Sequence, residues 1–127
     1  MTAPGWIASL IGEFGKGAGL PNLSLNERDS AAISFENGLG LRFEYADSVL
    51  TVAVTIPAYL DPERAKAFLA YAHPKARFGF HIRAGYLARH GKAVLAIRLG
   101  ERDVTLPVVN QAFAVLWRIA QEFGGIQ

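Results

Sequence analysis

AAISFENGLGLRFEYADSVLTVAVTI, residues 31–56, decides the fold of this chain. It holds three short apolar-alternating runs separated by two turn signals. Asn37-Gly38 predicts a type I′ hairpin turn, because that turn needs positive φ at both central positions. Ala46-Asp47-Ser48 predicts a second, looser turn. In the middle run Leu39, Leu41, Phe43 and Tyr45 alternate with Gly40, Arg42 and Glu44, which gives one apolar and one polar face. In the third run Leu50, Val52, Val54 and Ile56 share a face, while Val49, Thr51 and Ala53 leave the reverse side only weakly polar. The stretch is a three-stranded antiparallel meander with one strand suited to burial on both sides.

Upstream, residues 4–18 place Trp6, Ile7, Leu10, Ile11 and Phe14 on the stripe of an amphipathic helix. Gly17 and Gly19 end it, and Leu23 and Leu25 tuck in from the loop that follows. Downstream, Asp61-Pro62-Glu63 reads as the cap and first turn of a helix. Residues 62–72 put Ala65, Phe68, Leu69 and Ala72 on one side, and His73-Pro74 terminates them. Residues 77–89 alternate again, Phe78, Phe80 and Ile82 against Arg77, His81 and Arg83, with a bulge expected at Ala84-Gly85. His90-Gly91-Lys92 turns into a strand at 93–99, and residues 107–123 carry apolar groups at helical spacing up to Gly124-Gly125. The order is α-β-β-β-α-β-β-α, an α+β fold with an antiparallel sheet packed against helices.

At 127 residues the chain fits a single domain, with a core of about residues 5–123. Its 51% apolar composition and mean hydropathy of +0.20 exceed what a small soluble monomer needs. Some apolar surface is therefore expected to be covered by a partner. No apolar run approaches the ~20 residues of a membrane span, and the first residues lack the basic region of a signal peptide. The absence of cysteine excludes disulfides and thiolate metal sites. A cytoplasmic protein with no membrane association is expected. Charge is unevenly placed: residues 1–56 carry a net −3, residues 57–127 a net +5, and no carboxylate lies between Arg64 and Glu101.

Catalytic signals are weak. Gly12, Gly15, Gly17 and Gly19 lie within and after a helix, the wrong context for a phosphate loop. His73, His81 and His90 lack the converging spacing of a zinc site. Asp61 and Glu63 are accounted for by helix capping, and no serine sits in a nucleophile elbow. Neither enzyme activity nor a cofactor or metal is expected. The basic surface, Lys75, Arg77, Arg83, Arg89 and Lys92, interleaves with Phe78, Phe80 and Tyr86 over a predicted hairpin. Such a pattern offers an alternative function, a nucleic-acid or anionic-partner module using residues 75–98. Strict alternation, however, sends cations and aromatics to opposite faces, and stacking needs them together.

The opening helix WIASLIGEFGKGAGLPNLSL (6–25), the FENGLGLRFEY hairpin (35–45) and the strand SVLTVAVTIP (48–57) resemble the class I type III secretion chaperones. The resemblance continues through DPERAKAFLAYAH (61–73), KAVLAIRL (92–99) and LWRIAQEF (116–123), nearly the whole chain. It implies a non-enzymatic homodimer whose second helix supplies the dimer contact, here Phe68, Leu69, Tyr71 and Ala72. It also implies that an extended N-proximal segment of a secreted effector is held by strand addition and hydrophobic grooves, which keeps the effector soluble and export-competent. The residues expected in those grooves are Trp6, Leu10, Phe14, Ile33, Phe35, Leu41, Phe43, Val52 and Val54. The secretion ATPase is a further partner by the same resemblance, and the basic face suits an acidic effector segment. A regulatory or ligand-binding domain of the same fold is a third reading, since fold alone does not fix function.

Overall fold

Nine apolar or weakly polar residues in a row make β3 (Val49–Pro57) the middle of the sheet, because a strand that is greasy on both sides avoids an edge. A computed structural model describes residues 3–36, 38–57, 62–72, 76–77, 79–87, 89 and 91–124. β3 pairs with β2 (Gly40–Ala46) on one side and β6 (Lys92–Gly100) on the other. Outside β2 lies β1 (Ser30–Ser34), and outside β6 lie β5 (Phe80–Leu87) and a two-residue β4 (Ala76–Arg77). The six strands are antiparallel in the order β1-β2-β3-β6-β5-β4. Helices α1 (Gly5–Gly17), α2 (Pro62–Ala72) and α3 (Leu106–Gly124) complete the expected order, with the short β4 and a 3₁₀ turn at Glu101–Asp103 added among the described residues.

The period-two patterns place Leu41 and Phe43, Leu50, Val52, Val54 and Ile56, and Leu95 and Ile97 on one sheet face, all buried. Against that face α1 presents Ile7, Ile11 and Phe14, and α3 presents Val109, Ala112, Leu116, Ile119 and Ala120. Both sets follow helical spacing, as a stripe facing a core should. Thr105 caps α3, its Oγ1 accepting the Val108 N–H at 3.2 Å. Helix α2 packs on β5 and sends Phe68 into the same core. The reverse face of the sheet is polar: Arg42 and Glu44 pair at 2.7 Å, and Arg83 and Arg98 are exposed. Tyr45 is buried and its hydroxyl donates to Glu101 Oε1 at 3.1 Å, tying β2 to the short 3₁₀ turn after β6. Burial first, and the Glu101 hydrogen bond second, hold the Tyr45 pKa above its ordinary value.

Several local expectations are corrected. A type I′ turn lies at Asp47-Ser48, where the sequence predicts a looser turn. Ala46 pairs with Val49, leaving two loop residues, and both have positive φ, 51° and 62°. In the first hairpin Phe35 N–H donates to Leu39 O, so three residues form the loop, with Gly38 at φ 88°. Asn37 itself lies outside the described residues. The strand expected over 77–89 is divided: β4 ends at Arg77 and β5 starts at Phe80. No bulge occurs at Ala84-Gly85, which stand in a regular ladder opposite Leu95 and Val94. Asp61, His73, Pro74, Phe78 and His90 lie outside the described residues.

Gly15 is required by packing. A methyl group at that position would sit 2.5 Å from the Leu20 carbonyl and 2.8 Å from Leu23 Cβ, where the loop folds back on α1. Gly15→Ala is expected to destabilise the protein by about 1–2 kcal/mol, overpacking outweighing better helix propensity, as measured by urea unfolding. Ser48→Gly relieves a left-handed residue in the second hairpin. It is expected to stabilise by about 0.5–1 kcal/mol in the same experiment.

Candidate functional site

Among the described residues no strand lies beyond β1, so its outer backbone is an open edge. Phe35 N–H donates to Leu39 O at 2.8 Å and Tyr45 N–H to Asp29 O at 2.9 Å. With Ala31 opposite Phe43 and Ile33 opposite Leu41, the odd-numbered residues face β2. The N–H and C=O groups of Ala32 and Ser34 therefore point outward. Ser30 is already engaged: its N–H donates to Asn26 Oδ1 at 3.2 Å, and its carbonyl accepts the Asn26 N–H at 2.8 Å. That turn closes one end of the edge.

Beside this edge the core runs out, and its last apolar side chains are only half buried. Ile33 and Phe35 come from β1 and the residue following it, Phe113 and Trp117 from successive turns of α3. Phe35 stands edge-on to Trp117 at 5.0 Å, and Phe113 is 5.4 Å from Trp117. Phe113 in turn meets the buried Phe14 edge-on at 5.4 Å. The rings form a rigid aromatic wall rooted in the core and open at the sheet margin. Among the described residues it sets outward main-chain donors and acceptors beside an apolar surface.

The residues named from sequence separate accordingly. Phe14, Leu41, Phe43, Val52 and Val54 are at most 2% exposed. They build the core and offer no surface, because β2 and β3 are interior strands covered by α1 and α3. Ile33 and Phe35 lie at the margin, and Leu10 is partly buried on α1. Trp6, 48% exposed, stands on the outer flank of α1. Of the residues named on α2, Phe68 is buried in the core and Leu69 is exposed. Tyr71 and Ala72 lie on the helix, their side chains outside the described set. Arg83, Arg89 and Lys92 are exposed, Arg77 belongs to β4, and Lys75 lies outside the described residues. Phe80, Ile82 and Tyr86 turn toward the core, so cations and aromatics do part company on β5.

Phe113 and Trp117 line this margin and are not among the groove residues expected from sequence. Both read as members of the α3 core stripe, and their i, i+4 spacing beside Val109, Ala112 and Leu116 was the available signal. A stripe that wide covers more than one strand.

The chain matches the model of the family described as type III secretory system chaperone SycN over residues 6–124. Among solved structures it resembles a chain of the ExsC–ExsE complex, with a TM-score of 0.77 at 21% identity, covering 97% of this chain and 94% of that one. A chain of the HopA1–SchA chaperone–effector complex gives a TM-score of 0.70 at 13% identity, covering 93% and 92%. The Yersinia pestis type III secretion chaperone SycH in complex with a fragment of YscM2 gives 0.68 at 16%, covering 91% and 98%. No curated protein sequence matches. With its fold shared and its family model matched across nearly the full length, the chain belongs to the type III secretory system chaperone SycN family.

Proposed function

We propose that the protein is a non-enzymatic, cytoplasmic, homodimeric chaperone that holds an extended segment of a secreted effector along the β1 edge. The observation that carries this reading is the open edge at Ala32 and Ser34 lying beside the half-buried wall of Ile33, Phe35, Phe113 and Trp117. Added main-chain hydrogen bonds supply affinity, and side chains seated against the rings set the register. The family match and the chaperone–effector complexes among its structural neighbours support a secreted effector as the partner class. Exposed Leu69 on α2, the helix that packs on β5, supports a self-contact on that side. A role for the secretion ATPase as a further partner rests on the family resemblance alone.

Ala32→Pro is the sharpest test. The Ala32 N–H points away from β2, so proline is tolerated there as at any outward edge position, while the donor for an added strand is lost. The variant is expected to stay folded by circular dichroism and to fail to restore stability and export of the effector in a strain lacking the chaperone gene. Full restoration would sink the edge assignment. Trp117→Ala is expected to weaken purified effector binding about 30-fold by calorimetry, the loss typical of a central aromatic anchor.

For the self-contact, Leu69→Glu places a charge on an exposed apolar position without disturbing the buried Phe68. Sedimentation is expected to show monomers. An unchanged dimer would remove α2 from the interface.

A further inference from the structure

On the polar face of the sheet, opposite α1 and α3, His81 and Arg83 of β5 and Arg98 of β6 line one concavity of about 450 Å³ with Val49 and Gly100. Arg83 stands opposite Ala96, two residues from Arg98 along β6. The two guanidinium groups are therefore rooted on diagonal neighbours, about 7 Å apart. All three cationic or titratable side chains are exposed, and among the described residues neither arginine has an acidic partner. Glu44, two strands away, is tied to Arg42 at 2.7 Å. Asp103 lines the adjoining cavity with His81 and Arg98 but pairs with neither. The register thus holds like charges together without an internal counter-ion.

We propose that this concavity docks an acidic segment of the protein partner, with an Asp or Glu carboxylate bridging Arg83 and Arg98. Arginine forks suit carboxylates because two parallel N–H donors match two oxygens. A polypeptide fits better than a nucleic acid. Phe80 and Tyr86 are turned to the core side of β5, leaving no stacking platform beside the cations. Gly100 and Ala96 keep this part of the face low, so an extended chain can approach closely. The segment lies on a different surface from the β1 edge, and the proposal rests on the chaperone reading only in taking the partner to be a protein.

The probe is a fluorescein-labelled octaglutamate peptide titrated into the full chain at low salt, read by polarisation and by backbone amide shifts. Shifts are expected to centre on residues 81–83 and 98–100. Arg83→Gln with Arg98→Gln is expected to weaken binding about tenfold, whereas Arg89→Gln with Lys92→Gln, at the neighbouring hairpin end, changes it by less than about twofold. Equal losses in the two double variants would reduce the effect to diffuse attraction and overturn the proposal. Tighter binding of an eight-nucleotide oligothymidylate would overturn it in favour of nucleic acid. A sedimentation change in the Arg83/Arg98 variant without peptide would overturn it in favour of a second copy of the chain. Effector export in the deletion strain is measured separately, so failure with octaglutamate leaves the chaperone reading standing.

Discussion

Phe14 meets Phe43 and Phe113 edge-on, each at 5.4 Å, and this junction locks the first helix, the sheet and the last helix together. Each such contact contributes about 0.5–1.5 kcal/mol beyond the burial of the rings. The geometry matters more than the sum. α1 and α3 come from opposite ends of the chain, and Phe14 lets neither take its place without the other. Once α3 is seated there, its next turn carries Trp117 out to Phe35 at the sheet margin. The exposed wall beside β1 is thus a consequence of how the core is closed, and its rigidity is borrowed from the core.

An open sheet edge is a liability that soluble proteins normally blunt. Here β1 is only five residues long, and the Asn26 turn occupies the backbone of Ser30. Among the described residues what stays open is a short run at Ala32 and Ser34, too little to template a long added strand. Shortness limits uncontrolled pairing, and on the proposed reading the aromatic margin adds selectivity. The same physics that makes an edge hazardous makes it a binding site when its length is restricted and apolar groups stand beside it.

The architecture was legible because β2, β3 and β6 alternate in burial almost residue by residue, and α1 and α3 carry plain apolar stripes. Turns were less legible. Asp47 and Ser48 adopt positive φ because Ala46 and Val49 pair across a two-residue gap, and strand twist then demands a primed turn whatever residues stand there. Gly85 looked like a bulge, yet it occupies an ordinary ladder position opposite Val94. The site was half legible. Phe35 and Phe43 share residue type, strand periodicity and sheet face, but one lies at the margin and the other at 0% exposure in the core. That difference depends on strand order, in particular on β1 being outermost, which local sequence does not encode.

Strand order also turns a pattern along the chain into one across the molecule. The topology keeps residues 30–57 on one side of the sheet and residues 76–100 on the other. The net −3 of residues 1–56 and the net +5 of the remainder therefore become a lateral charge gradient from the β1 side toward β5. The proposed self-contact through α2 and β5 would set the two basic sides of a dimer next to each other. At physiological salt such repulsion is screened beyond about 8 Å, so only charges close to the contact bear the cost. His81, Arg83 and Arg98 sit on the β5–β6 side and, among the described residues, pair with no carboxylate. On the proposed readings, an acidic guest at that face offsets the repulsion that a dimer would concentrate there, and the β1 edges stay at the far sides for an added strand. In the proposed assembly the self-contact and the acidic guest are coupled through charge, because both involve β5.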